Sequence, residues 1–156
     1  MIQIYCGDGK GKSTAAAGQA LRAAANGLSV MFVQCLPDRE AGELRLLDTF
    51  DNIHVLHGAE NVLKTESFFS ELKIKIASFS PNLIILDDAA TAVDKDLLDS
   101  DFLKAFVAEY CDSAEIIITG NVPEIWMLDT ADYVTDMEKI KHPYDKGAEK
   151  RKGIEY

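Results

Sequence analysis

Short apolar runs alternate along this chain with longer stretches whose apolar positions recur at helical spacing. The runs at 2–6, 29–35, 53–56, 83–86, 115–119 and 133–137 read as strands. Residues 12–26 read as a helix of small side chains that can lie close to a sheet, ending at the left-handed cap Asn26-Gly27. A loop at Pro37-Asp38 leads into a helix through Leu44, Leu46, Leu47 and Phe50. Over 61–79, Phe68, Phe69, Leu72, Ile76 and Phe79 share one helical face, a core stripe stopped by Pro81-Asn82. Over 95–110, Leu98, Phe102, Phe106 and Tyr110 do the same, and Pro123 opens a short helix containing Trp126. Leu83–Leu86 is an unbroken apolar run, the pattern of a strand buried on both faces, and Glu115–Thr119 reads as another buried strand. Strands alternating with helices predict an α/β fold with a mostly parallel sheet flanked by helices. No repeat, low-complexity stretch or linker interrupts it, so residues 1–156 read as a single domain with a basic tail over 139–156.

The first strand runs straight into Gly7-Asp8-Gly9-Lys10-Gly11-Lys12-Ser13-Thr14, and the alanine-rich helix follows at once. A glycine-rich turn at a helix N-terminus aims several backbone N–H groups at one spot, which suits a polyphosphate. Lys12 adds a mobile positive charge and Ser13 a hydroxyl placed for Mg²⁺ on the phosphates. Residues 7–14 are therefore the candidate nucleotide loop, ATP the first candidate ligand, and the fold a P-loop (RecA-like) domain. The usual pattern places a glycine five positions before the Gly-Lys pair, where this chain has Cys6; glycines at 7, 9 and 11 stand instead. The deviant loop of ParA-like ATPases is disfavoured, because its signature lysine falls at Gly7.

Loops of an open parallel sheet gather at the carboxyl ends of the strands. Asp87 and Asp88, after four apolar residues, reach the same edge as the phosphate loop. One of these carboxylates would hold Mg²⁺ with Ser13; the plain alternative is a turn that caps the next helix. His54 and His57, three apart on a strand, point to opposite faces and make poor metal partners. No Ser-His-Asp or Cys-His constellation is visible.

The formal charge of −10 argues against sequence-independent nucleic-acid binding, which needs cations against phosphates. It does not argue against ATP, since charges beyond a Debye length of about 8 Å are screened. Cys6, Cys35 and Cys111 are far apart and odd in number, which suggests neither disulfides nor zinc and fits a cytoplasmic setting. No run is long enough to span a membrane and no signal peptide is expected. Residues 139–152 hold six basic side chains against two acids, the composition of a solvated terminus.

Together these segments resemble the ATP:corrinoid adenosyltransferase family, which acts on cob(I)alamin and cob(I)yrinic acid a,c-diamide. The resemblance is carried by residues 7–14 with Arg22 and Gly27, Val33-Gln34, Gly42-Glu43, Leu46-Leu47, Leu86-Asp87-Asp88 and Ile118-Thr119-Gly120. It continues through Ala131-Asp132, Val134-Thr135, Lys141-His142, Tyr144, Gly147 and the closing Lys152-Gly153-Ile154-Glu155-Tyr156. The resemblance implies transfer of the adenosyl group of Mg-ATP to a cobalt(I) corrinoid with release of triphosphate. Lys12 and Lys10 would stabilise the leaving group, and Ser13 with Asp88 or Asp87 would hold Mg²⁺. It further implies a reductant, for which a flavoprotein is a candidate, a homodimer, and a tail folded over the site. The chain differs from the family pattern in having Asp87-Asp88 for the usual Asp-Glu, Asn121 for the usual Arg, and no clear aromatic-rich segment after the third strand. Two other readings stay open: a nucleotide-binding sensor or carrier without transferase activity, and a conventional ATPase or small-molecule kinase.

Overall fold

The computed structural model describes residues 1–36, 41–58, 66–149 and 151–154. Its strands are β1 (Ile2–Cys6), β2 (Val30–Gln34), β3 (Ile53–His57), β4 (Leu83–Asp87), β5 (Glu115–Thr119) and β6 (Tyr133–Asp136). They form one sheet in the order β3-β2-β4-β5-β1-β6, and every neighbouring pair is parallel. The expected α/β fold is thus present, with a sheet that is wholly parallel.

Helices α1 (Lys12–Ala25) and α2 (Gly42–Leu47) cover one face. Ala16, Ala17 and Ala20 of α1 and Leu44 and Leu47 of α2 pack there with Val30, Phe32, Ile85 and Ile117. The opposite face carries α3 (Glu66–Phe79), α4 (Ala89–Asp94), α5 (Ser100–Tyr110) and α6 (Ile125–Thr130). Leu72, Ile76, Leu103, Phe106 and Met127 meet Ile4, Val33, Ile84, Leu86 and Ile118 in that core. All five residues of β2 and of β4 are buried, as their apolar runs require of central strands. The edge strand β6 is exposed along all four residues. Among the described residues no helix is long and apolar enough to cross a membrane.

Several boundaries differ from the sequence reading. The helix expected over 95–110 is two elements. α4 begins directly after Asp88, and Leu97 N–H donates to Ala92 C=O at 2.8 Å to close it. Then Asp99 caps α5, its carboxylate accepting Phe102 N–H at 3.0 Å. An Asp before a helical run is a start signal, and the longer apolar period masks it. The buried face of α5 is accordingly Leu103, Phe106 and Val107, with Phe102 36% exposed. α1 stops at Ala25, with Asn26 as its cap, and α2 stops at Leu47. Four strands change at their ends: β2 loses 29 and 35, β3 and β4 gain His57 and Asp87, and β6 loses 137. The last helix starts at Ile125, two residues after Pro123. Of the helix expected over 61–79, residues 66–79 are helical and 61–65 lie outside the described residues, as do Pro37-Asp38 and Glu155-Tyr156.

Candidate nucleotide and metal site

Because β1 lies between β5 and β6, the loop that leaves it is held from both sides. Gly7 N–H donates to Asn121 C=O at 3.1 Å, and Gly9 N–H to Met137 C=O at 2.6 Å. Gly7 has φ +96°, and a side chain there would run into Asp136 and the Met137 backbone; one at Gly9 would run into Met137 and Glu138. Only glycine permits so close an approach. Gly11, φ +123°, turns the chain into α1. Lys12 Nζ reaches back over the turn to the carbonyls of Gly7 at 2.7 Å and Gly9 at 2.8 Å. Helix geometry leaves the first-turn N–H groups of α1 to partners outside the helix, and Lys12, Ser13 and Thr14 all line an open cleft of about 640 Å³.

Asp87 and Asp88 part company at the end of β4. Thr119 on β5 binds both: its hydroxyl donates to Asp87 Oδ1 at 2.7 Å and accepts the Asp88 N–H at 2.8 Å. Asp87 stays in the strand, whereas Asp88 takes the left-handed conformation, φ 58°, that starts α4. Asp tolerates that conformation better than most residues, and it swings the Asp88 carboxyl into the cleft with Lys12 and Ser13. Thr91 then fastens the neighbouring turn, accepting Asn121 N–H at 2.9 Å. Both carboxylates are buried. Burial, then the charges of Asp87 and Asp88, pushes the Cys35 thiol well above its ordinary value, so it stays protonated at neutral pH.

The tail forms the far wall. Lys139 N–H donates to Asp8 Oδ1 at 2.9 Å, and Lys139 Nζ pairs with Asp145 at 3.0 Å, which holds that ammonium above its usual range. His142, Tyr144, Gly153 and Ile154 line the same cleft as Lys12. So Asp8 to Thr14 and Asp88 converge on one space, Gly7 and Asp87 stand behind it, and Lys10 is on the rim. Among the described residues no three His, Cys, Asp or Glu side chains form a metal cage. A cation here would draw on the Ser13 hydroxyl, one carboxylate and the ligand's own oxygens, the sparse oxygen set that suits Mg²⁺. His54 stacks on Phe79 with centroids 3.9 Å apart, remote from the cleft residues in role.

The profile of the ATP:corrinoid adenosyltransferase BtuR/CobO/CobP family matches residues 1–156. The chain belongs to the ATP:corrinoid adenosyltransferase family. It is 27% identical to the corrinoid adenosyltransferase of Sinorhizobium sp, covering all of this chain and 80% of that one. It is 28% identical to the corrinoid adenosyltransferase of Escherichia coli (strain K12) and to corrinoid adenosyltransferase CobA of Salmonella typhimurium, covering all of this chain and 85% of each. Those two alignments run over 174 positions against the 156 residues here, so these adenosyltransferases carry insertions this chain lacks. The family is one of transferase enzymes.

Sequence reasoning singled out the loop and the Asp pair of this candidate site but missed the residues that set them. Thr119 entered the sequence reading only as a strand end and through the Ile118-Thr119-Gly120 resemblance, and Thr91 not at all. Their hydroxyls matter because the sheet order puts β5 next to β4. The backbone of Asn121 and Met137, which accepts the loop N–H groups, carries no side-chain signal at all.

Proposed function

We propose that this chain transfers the 5′-deoxyadenosyl group of Mg-ATP to the cobalt(I) of a corrinoid and releases triphosphate. Convergence of the phosphate loop, Asp88 and the C-terminal tail on one cleft carries the reading. The cobalt lone pair attacks C5′, the C5′–O bond breaks with its electrons on the triphosphate oxygen, and cobalt passes formally from +1 to +3. Cobalt(I) is itself the nucleophile, so no protein base is needed. The protein's part is to position and to stabilise negative charge as it develops. Lys12 and the first-turn amides of α1 would hold the phosphates, Lys10 would approach from the rim, and Ser13 with Asp88 would hold Mg²⁺. The metal, when bound, offsets charge on the leaving triphosphate. Asp87 would support Asp88 through Thr119. His142 and Tyr144 would close the cleft over the adenosine side.

The substrate is cob(I)alamin or another corrinoid, reduced by a separate electron donor such as a flavoprotein, in the cytoplasm. A homodimer is favoured by the family resemblance and by the edge strand β6, exposed throughout, with Tyr133 and Val134 on it 54% and 49% exposed. Incubation with Mg-ATP and chemically reduced cobalamin without oxygen tests the reading. Adenosylcobalamin with one triphosphate per turnover is the expected result. Binding without turnover would favour a sensor or carrier, and ADP with phosphate would favour an ATPase.

A further inference from the structure

We infer that Gln34 is an additional ligand-binding residue of this site: its side-chain amide donates to an oxygen of the bound magnesium–triphosphate. The inference rests on the nucleotide reading of the cleft and adds a residue to it. Gln34 ends β2 and is 1% exposed. Among the described residues its Nε2 is the one buried side-chain nitrogen or oxygen with no hydrogen-bond partner. An amide nitrogen only donates, and burying it unmet costs about what a lost hydrogen bond costs. A position so deeply buried would be better served by Leu or Met unless something arrives to accept.

Placement says what that is. Along β2, Met31, Val33 and Cys35 enter the core under α3 to α6, whereas Val30 and Phe32 enter the core under α1 and α2. Alternation gives Gln34 to the second set, the face on which α1 lies. Its register partner on β4 is Asp87, and it continues directly into Cys35 and Leu36, of which Leu36 lines the cleft. Ser13 and Ala17 from α1 and Gly42 and Leu46 from α2 line the cleft above that face. Gln34 therefore shares the face under α1 and α2 with Asp87 and stands, like it, behind the residues that line the cleft. The Asp87 carboxylate already stands beside it, so a donor at this point opposes a second anion's repulsion and favours a phosphate oxygen or a water held by the metal. A cation has no use for it.

Calorimetry with Mg-ATP and thermal unfolding without nucleotide, on the full chain and on Gln34→Met and Gln34→Glu, test the assignment. Gln34→Met should bind Mg-ATP about tenfold more weakly yet unfold, unliganded, at the same or a higher temperature. Gln34→Glu should bind more weakly still, because its carboxylate faces the phosphates. Wild-type affinity in Gln34→Met overturns the assignment, whatever its unfolding temperature. So does a joint loss of affinity and of unfolding temperature in which Gln34→Glu binds no worse than Gln34→Met, the mark of a structural amide. Absence of heat from the wild-type chain removes the nucleotide reading and the assignment with it; normal wild-type heat with an unaffected variant removes the assignment alone.

Discussion

At the scale of single residues, Lys12 has two tasks. It clasps the carbonyls of Gly7 and Gly9, and it carries the charge a phosphate would meet. Lys12→Ala is expected to weaken Mg-ATP binding by a hundredfold or more, on the order of 3 kcal/mol for a charge-assisted contact, read by calorimetry. Gly9 illustrates a different constraint, one of space. Gly9→Ala drives a methyl into the backbone at Met137 and Glu138, and overpacking of that kind costs about 1–3 kcal/mol. The expected result is a lower urea midpoint with unchanged slope, together with loss of nucleotide binding. The glycines were legible in the sequence because positive φ and close approach leave glycine little competition. What presses on them was not, since Met137 is brought there by the sheet order and not by any neighbour along the chain.

Among the elements, the central strands were the easiest to recognise and the most constrained. β2 and β4 were readable because strands covered on both faces need unbroken apolar runs. α4 and the start of α5 were hidden because the apolar period continues across Lys95–Asp99, and the break depends on the Asp99 cap. Burial within this sandwich also sets a pH dependence. Cys35, fully enclosed beside Asp87 and Asp88, has its folded value raised from the ordinary 9.0. A raised folded value contributes stability below the unfolded value, and that contribution is lost as pH climbs above it. Thermal unfolding temperature should therefore fall as pH rises past about 9, with Cys35→Ala flattening that limb. An unchanged slope in the variant would assign the alkaline loss to other groups, such as Tyr5 and Cys6, whose values are also raised.

For the molecule as a whole, a net charge of −10 coexists with a cation-rich tail lying along the cleft proposed to bind an anion. The global sign of charge says little about the local field. The tail's composition suggested a solvated end; its docking through Lys139 on Asp8 could be anticipated only from the family resemblance. Truncation after Tyr144 removes Asp145, Gly153 and Ile154, all at or near the cleft wall, and leaves both cores intact. Turnover is expected to drop at least tenfold while the unfolding temperature moves by only a few degrees; equal damage to both would make the tail structural. The clamping of the glycine loop between Asn121 and Met137 has a consequence for how the protein is made. A growing polypeptide on the ribosome carries the Gly-Lys-Ser segment more than a hundred residues ahead of Asn121 and Met137, the two flanks that shape it. Nucleotide affinity should accordingly appear abruptly, once Met137 has emerged, and not gradually as translation proceeds.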